Sequence, residues 1–452
     1  MSAVAEPSLW LEDAAAAVPP RPEELPPLDE NKVAVVIAAW NEAEQIGDTI
    51  RSLVTQTRPP DLIVVVSDNS TDDTCEVAWS AWETHVIRRD DEIWVLESVN
   101  NVHKKGGALN AGIFYLLEQE RFPGFILTID ADTILDEYYI EYSVAAMCGL
   151  PEVGGLSSVC RGKKGLVKWP RWRDVAPPDR ETLEKGNYRA HRVSARVKGR
   201  TVWFDARKPR PWPVRLMRRS RATRTGVLVA VLKRAAMGKM LTWFQRAEYA
   251  RYGKTRLRRN IHTLSGAGSM FRAQAIYDVL RDRRTLYLEE KTNRVEDFET
   301  TLEIKSHGWL CTNNAYCVAH TDLMTTVPAL LAQRSRWVGG TMTELRRRGW
   351  RKETRLSILA VLTGLIEIPV MYAELGLMVY TMTEGAGGTI AVKSLWTLGV
   401  LSLFAGLGLR SMGWKSMIIG FLLVPEMAYG ILLRHRWVFR GIRETLAQSS
   451  QW

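Results

Sequence analysis

Phe125-Ile-Leu-Thr-Ile-Asp-Ala-Asp132 is an apolar run of strand length that ends abruptly in two carboxylates. It has companions upstream: Val33-Ala-Val-Val-Ile-Ala-Ala39, Leu62-Ile-Val-Val-Val66 and Ile93-Trp-Val-Leu96 are runs of the same kind. Stretches with helical spacing, Glu44 to Val54 and Leu109 to Leu117, alternate with them. Strands apolar on both faces and alternating with helices predict an α/β fold: a Rossmann-like, mostly parallel sheet with helices on both faces. In such sheets ligands bind beyond the carboxyl ends of the strands. The polar residues that follow these runs, Asn41-Glu42, Asp68, and Asp130 with Asp132, all fall at that edge.

The rest of the chain is read against this core. Its 452 residues exceed one ordinary domain. With 46% apolar and 25% charged residues, wholesale disorder is excluded. Cys75, Cys148, Cys160, Cys311 and Cys317 are scattered with no C-x-x-C pair, which argues against a disulfide scaffold or zinc finger and suits a reducing compartment. Residues 1–31 hold six prolines and seven acidic residues and are expected to form a flexible arm. The arm has no signal-peptide pattern, so the catalytic part is expected on the cytosolic side of a membrane. The net charge of +11 is uneven: residues 161–260 hold 30 Lys/Arg against 6 Asp/Glu. This basic insert interrupts the α/β pattern with Lys168-Trp-Pro-Arg-Trp-Arg173 and ends in Gly226–Phe244, an apolar stretch broken by Lys233, Arg234 and Lys239. The stretch reads either as a basic amphipathic helix on anionic lipid or as a solvated loop and surface helix.

Beyond residue 345 the composition changes again. Leu356–Met382, Ile390–Leu409 and Trp414–Leu433 are apolar windows, each as long as the ~20 residues a bilayer crossing needs. Residues 346–452 are therefore expected to form a multi-pass membrane region of about three helices with a basic tail. Each window carries a charged residue, and a mid-membrane acid costs ~2.5–3.5 kcal/mol. Glu367 and Glu374 are seven apart and share a helix face, as a packed or water-lined interface would require. The basic stretch Arg346–Arg355 fits the cytosolic side. The basic tail fits that side too, which requires an even number of crossings or a re-entrant third window.

Four polar groups could carry chemistry. Asp130-Ala-Asp132 can hold a divalent cation and a diphosphate around it, and Asp68 adds an acid at the neighbouring strand end. Lys104-Lys-Gly-Gly-Ala-Leu-Asn110 opens a helix with positive charge and close backbone approach, which suits phosphate. It has neither the Walker A spacing nor G-x-G-x-x-G. Val295-Glu-Asp297 precedes a helical pattern, where an acid ordinarily serves as an N-cap. Gln333-Arg-Ser-Arg-Trp337 offers a guanidinium for a diphosphate and an aromatic face for a sugar. Neither a Ser-His or Cys-His arrangement nor a metal-ligand spacing among the histidines is present.

In this order the motifs resemble glycosyltransferase family 2, in particular its membrane-bound, processive-type members that resemble cellulose, chitin and hyaluronan synthases. The matching residues are Ala39-Trp-Asn-Glu42, Val66-Ser-Asp-Asn-Ser-Thr-Asp72, Lys105-Gly-Gly-Ala-Leu-Asn110, Asp130-Ala-Asp132, Ser265-Gly-Ala-Gly-Ser-Met-Phe-Arg272, Val295-Glu-Asp297 and Gln333-Arg-Ser-Arg-Trp337. The resemblance implies a GT-A catalytic domain, here residues 32–345 with the insert at 161–260. It also implies inverting transfer from a nucleotide sugar, usually a UDP-sugar, to a glycan or lipid-linked acceptor. On the same resemblance Glu42, Asp68, Lys105, Asp130, Gln333 and Arg336 would bind the donor, and Gly266 and Trp337 the acceptor. Asp132 would hold Mg²⁺ or Mn²⁺ on the diphosphate, and Asp297, with Glu296 beside it, would be the general base. The chain departs from the family pattern in three respects: the long basic insert, valine before Glu296, and no membrane helix ahead of the catalytic stretch.

A single-sugar transferase acting on a lipid carrier or protein is the rival within the class. A nucleic-acid-binding protein would explain the basic insert, but no nucleic-acid partner is expected beside apolar C-terminal windows and acidic strand ends. A non-catalytic membrane scaffold is disfavoured by the intact Asp132 and Asp297.

Overall fold

The four apolar runs are neighbouring strands of one sheet. The computed structural model describes residues 9–11, 25–85, 92–98, 104–163, 192–197, 200–205, 237–250, 260–288 and 295–383, together with Tyr429. Contacts divide the chain into two units, one of Met1–Gly162, Phe244–Leu323 and Val327–Trp452, the other of Lys163–Trp243 and Met324–Thr326.

The strands of the first unit are β1 (Leu9–Leu11), β2 (Leu28–Ala39), β3 (Leu62–Asp68), β4 (Glu92–Ser98), β5 (Phe122–Asp130), β6 (Ile134–Leu135) and β7 (Val153–Gly162), followed after the second unit by β10 (Ser269–Arg272) and β11 (Leu310–Thr321). The second unit contributes the antiparallel hairpin of β8 (Arg192–Val197) and β9 (Arg200–Asp205). The first unit's sheet runs β1-β4-β3-β2-β5-β10-β7-β11-β6. Its β1–β4, β4–β3, β3–β2, β2–β5 and β7–β11 pairings are parallel, while β10 runs antiparallel to both its neighbours and β6 antiparallel to β11. The sheet is thus mixed, with its parallel half where the expected strands lie. This is the GT-A arrangement anticipated from the motifs.

Each expected strand is present and extended by a few residues. The structure adds β7, β10 and β11, which carry Gly, Ser and Asn where the first four carry Val and Ile. The arm of residues 1–31 is partly sheet: Leu9 lies opposite Leu96, and Leu28 opposite Phe122.

Helices cover both faces. On one face α1 (Ile46–Val54), α2 (Thr74–His85) and α4 (Tyr139–Gly149) pack on the cluster holding Ile37, Val65, Leu127 and Met270. On the other, α3 (Lys104–Leu117) and α5 (Ala273–Arg283) pack on Val36, Val66, Ile126 and Phe271. Alternate residues of each strand therefore feed opposite cores, as the two-residue period requires. Gly112 of α3 lies flat on β2: a β-carbon there would stand 2.4 Å from a methyl of Val36.

Three further helices of the first unit are α6 (Glu296–Ser306), α7 (Val327–Arg348) and α8 (Arg355–Thr383). Val295, Phe298 and Leu302 form a small core with Leu345, against which Ile358 and Val361 pack. The first apolar window therefore begins inside the α/β unit. Leu356, Leu359, Leu362, Ile366, Tyr372 and Tyr380 of α8 are exposed. Among the described residues no helix is long and apolar enough to cross a membrane, so the expected multi-pass region is not demonstrated. The second window and all but Tyr429 of the third lie outside the described residues, as does the 226–236 part of the amphipathic stretch; residues 237–250 are helical.

Candidate active site

The carboxyl edge of the parallel half is assembled from loops that hold one another. The Asn41 N–H donates to Ser70 Oγ at 3.1 Å, and Asn41 Oδ1 accepts from the Thr71 N–H at 2.8 Å. The Glu42 N–H donates to Thr74 Oγ1 at 2.9 Å, and the Ala43 N–H to Asp72 Oδ2 at 3.2 Å. Asn41 and Asn69 both have positive φ, a conformation asparagine tolerates better than most residues. The loop bearing Glu42 and the loop following Asp68 are thereby one rigid rim. The Glu42 carboxylate accepts from Gln45 Nε2 at 3.4 Å.

The turn carrying Asp130 and Asp132 is fixed from beneath by a buried polar stripe on α1 and the residues after it. Thr49 Oγ1 donates to the Ala131 carbonyl at 2.6 Å, Ser52 Oγ accepts from the Leu135 N–H at 3.2 Å, and Gln56 Nε2 donates to the Asp136 carbonyl at 2.8 Å. The Thr133 N–H closes on the Asp130 carbonyl at 3.0 Å. Ala38 lies opposite Asp130 and Ala39 opposite Ser67, so Asp130 and Asp68 end the strands on either side of β2. With neighbouring strands ~4.8 Å apart, the two acids stand on the order of 10 Å from one another, and their even spacing from Ile126 and Val66 puts both on the α3 and α5 face.

On that face four of the expected residues meet. Lys105, in the first turn of α3, places Nζ 2.5 Å from Asp130 Oδ1 and 2.9 Å from Glu296 Oε1. Gly266 covers them: a β-carbon there would stand 3.3 Å from Lys105 Nζ and 3.6 Å from Asp297 Oδ2. Asp297 Oδ1 accepts the Phe298 N–H at 2.8 Å. The N-cap position belongs to Val295, whose side chain makes no capping bond. The expectation of an ordinary capping acid therefore fails: Asp297 is the second residue of α6, with Oδ2 directed at Gly266. Lys105, Thr128, Ser265, Gly266, Glu296 and Asp297 help line a small cleft.

Three ionisable groups of this cluster are perturbed in different senses. Burial, and after it the neighbouring Glu296 charge, outweigh Lys105 and push the Asp297 carboxyl up to about 6. Glu296 is also pushed up by burial, but its contact with Lys105 outweighs that and leaves it below the ordinary carboxylate value. Lys105 stays protonated because Asp130 and Glu296 overcome the burial that opposes its charge. Asp297 is therefore the acid of this cleft suited to accept a proton near neutrality.

Several supporting residues were given no role by the sequence, although Asn110 and Ser265 stand within its motifs. Asn110, fully buried, exchanges hydrogen bonds with the Tyr287 backbone at 2.8 and 2.9 Å, and the Tyr287 hydroxyl donates to Thr128 Oγ1 at 3.0 Å. Thr301 links α6 to the Gly266 loop, donating to the Asp297 carbonyl at 2.5 Å and accepting the Leu264 N–H at 2.8 Å. The Ser265 N–H donates to Ser157 Oγ at 2.9 Å.

Helix α7 carries Gln333, Arg336 and Trp337. It lies directly on the residue before α6, since a β-carbon at Gly340 would meet Val295 Cγ1 at 2.6 Å. Arg336 is exposed, and its charge lowers the Glu296 carboxyl. Gln333 and Trp337 are half-buried, and Gln333 Oε1 has no hydrogen-bond partner among the described residues. Further along, Arg347 and Arg348 pair with Glu344 at 2.8 and 2.5 Å, and Arg348 pairs with Glu299 at 2.7 Å and Glu303 at 2.5 Å. Arg283 meets Glu299 at 2.6 Å. These two arginines of the basic Arg346–Arg355 stretch are thus engaged within the protein.

Asp132 sits on the turn, half-buried, with Thr133 Oγ1 at 3.5 Å from its Oδ1. Among the described residues no group of three His, Cys, Asp or Glu side chains could cage a metal ion. One oxygen of Asp130 is held by Lys105. The donor set fits a cation that brings most of its ligands with it, as one bound to a diphosphate does.

Residues 34–198 match the family model for glycosyl transferase family 2, and residues 214–433 match that for glycosyl transferase family group 2. A poly-β-1,6-N-acetyl-D-glucosamine synthase of Staphylococcus epidermidis is 29% identical over 136 residues, which is 28% of this chain and 30% of that protein. The corresponding Staphylococcus aureus COL synthase is 26% identical over the same length and shares. The match thus spans under a third of these relatives. Among solved structures, the mannosyltransferase PcManGT from Pyrobaculum calidifontis, in complex with GDP-Man and Mn²⁺, is 16% identical, with 90% of this chain and 89% of that one covered and a TM-score of 0.46. S. aureus TarS 1–349 in complex with UDP is 13% identical, with 92% of each chain covered and a TM-score of 0.37. The chain is a glycosyltransferase. It belongs to glycosyltransferase family 2.

Proposed function

We propose that the chain transfers a sugar from a nucleotide sugar, a UDP-sugar by preference, to a hydroxyl of a growing glycan with inversion at the anomeric carbon. The observation that carries this reading is the half-buried Asp297 carboxyl, raised to about 6 and held at the head of α6 beside Gly266 and Lys105. In a single inverting displacement the acceptor oxygen attacks the anomeric carbon as the bond to the diphosphate breaks, and one base must take the acceptor's proton. Asp297 is that base, and Glu296 keeps Lys105 in place beside it. Asp68 and Asp130 receive the nucleoside and ribose, with Glu42 on the same rim, and Lys105 stands near the diphosphate. Gln333 and Arg336 close over the donor, Arg336 countering charge on the leaving diphosphate. Gly266 and Trp337 border the acceptor, the indole offering a face on which a sugar ring stacks.

Asp132 would hold Mg²⁺ or Mn²⁺, which supplies charge neutralisation on the diphosphate when bound. Membrane attachment is supported by the exposed leucines along α8 and by the two apolar windows that follow it. The catalytic unit then faces the cytosol.

The test is nucleotide release from membranes holding the full chain. UDP-glucose, UDP-N-acetylglucosamine, UDP-galactose and UDP-glucuronate are supplied in turn with Mn²⁺, Mg²⁺ or EDTA. Turnover with one donor, lost in EDTA, is expected, and product length separates chain extension from single transfer. Release that is unaffected by EDTA removes the metal from the account. UDP that neither turns over nor binds contradicts the reading as a whole.

A further inference from the structure

Within Gln333-Arg-Ser-Arg-Trp337 the chemistry proposed above uses the first, fourth and fifth residues. The second, Arg334, is the more deeply placed arginine of the two: it is 8% exposed, whereas Arg336 is exposed. Burying a guanidinium is costly unless its surroundings compensate, so the contacts it makes indicate what it is there to hold.

Arg334 is one helical turn from Trp337 on α7, and its guanidinium lies over the indole ring, 4.2 Å from the ring centre. Its Nη2 donates to Glu248 Oε2 at 2.7 Å, and the Tyr429 hydroxyl donates to the same carboxylate oxygen at 3.1 Å. The Tyr249 ring lies 5.9 Å away on the guanidinium's other contacts, and the Tyr429 ring stacks on Phe244 at 4.8 Å with 12° between the planes. One planar cation therefore joins three parts of the first unit: α7, the helical residues 244–250, and Tyr429 from the third apolar window.

We infer that Arg334 is a positioning residue that fixes the Trp337 ring by covering one of its faces, so that the acceptor sugar stacks on the other. This deepens the reading of Trp337 given above and rests on it. With a guanidinium over one face, the ring has only its other face to offer, which selects the side from which an acceptor approaches. The planar, delocalised cation matters more than its charge, because a guanidinium stacks on an aromatic face and a lysine ammonium does not replace that contact. Tyr429 anchors Glu248 and so braces the same ring.

The experiment uses the full chain in membranes or detergent with Arg334→Lys and Arg334→Met. Both variants are expected to raise the acceptor KM about tenfold, with UDP affinity within twofold of the parent. Because Glu248 keeps partial access to solvent, neither variant should fail to fold. A lysine variant with the parent's acceptor KM overturns the stacking role, and so does a changed UDP affinity with the acceptor KM unaltered. A second measurement does not depend on turnover: melting temperatures of Arg334→Met, Trp337→Leu and the double variant. Coupling of the two side chains predicts losses that fall short of additive by at least about 2 °C, as contacting residues do, and strict additivity overturns the contact. A parent protein that transfers no sugar and binds no UDP contradicts the glycosyl-transfer reading instead, while the melting cycle still decides the Arg334–Trp337 contact.

Discussion

Helix α6 carries two acidic clusters one turn apart, and they are built oppositely. At its head Glu296 and Asp297 join Asp130 around a single ammonium, that of Lys105. One turn on, Glu299 and Glu303 join Glu344 around three guanidiniums, those of Arg283, Arg347 and Arg348. The second cluster is balanced and has a closed centre, with Glu299 0% exposed and Arg348 8% at the side chain, while Arg347 at its edge keeps 42%. The first is left with excess negative charge and lies open to a cleft, with Lys105 and Asp130 about a third exposed. Balanced charge fixes a helix in place. Unbalanced charge beside a cavity leaves a carboxyl whose proton affinity is raised and whose partner is still to arrive. The same element thus has a structural end and a chemical end.

Breaking the balanced end should cost most in stability. Glu299→Gln leaves three arginines facing too little charge, and loss of one member of a buried network destabilises by about 3–5 kcal/mol. The expected result is a large fall in melting temperature with UDP affinity retained by the protein that remains folded; an unchanged melting temperature would show that the network is solvated. At the chemical end the largest effect short of removing the base is Gly266→Ala. The added methyl would stand 3.3 Å from Lys105 Nζ and 3.6 Å from Asp297 Oδ2. Displacing reacting groups by a fraction of an ångström costs on the order of tenfold to a hundredfold in rate, so kcat should fall while the melting temperature stays put.

The pH dependence follows in sign from the same contrast. The base proposed here, Asp297, would act only when ionised, so kcat/KM should rise with pH, tenfold per unit below about 6, and level above it. Its raised affinity for a proton also means that the folded state binds more protons than the unfolded one between the ordinary aspartate value and about 6. The stability contribution of this group is therefore present in acid and lost as pH rises through 6. The smallest expected effect lies beneath the site. Thr49→Val removes the hydroxyl that holds the Ala131 carbonyl and should cost about 1–2 kcal/mol, with a measurable loosening of Mn²⁺-dependent UDP binding.

The two ends of α6 also show how much was legible in the sequence. The head was readable because Glu296 and Asp297 stand in order with Asp130, Asp132 and the Gln333–Trp337 motif. The strands that place Asp68 and Asp130 were readable because β2, β3 and β5 are apolar on both faces. That Lys105 would bind Asp130 and Glu296, rather than stand free for phosphate, was not readable: the contact joins three elements far apart in the chain. The pairing of Glu299 and Glu303 was equally out of reach, since their partners come from α5 and the end of α7. β7, β10 and β11 escaped for a related reason. Val153-Gly-Gly-Leu-Ser-Ser-Val-Cys-Arg-Gly162 is held as a strand by pairing on both sides, not by its own propensity.

The most direct test of the chemical end is Asp297→Asn, with transfer and UDP binding measured on the same preparation. The expected result is a loss of transfer of about 10²–10⁴-fold, near-normal UDP affinity, and a melting temperature at pH 7.5 no lower than the parent's. Transfer at the parent's rate in the asparagine variant would contradict the assignment of Asp297 as the base and, with it, the division of α6 into a structural and a chemical end.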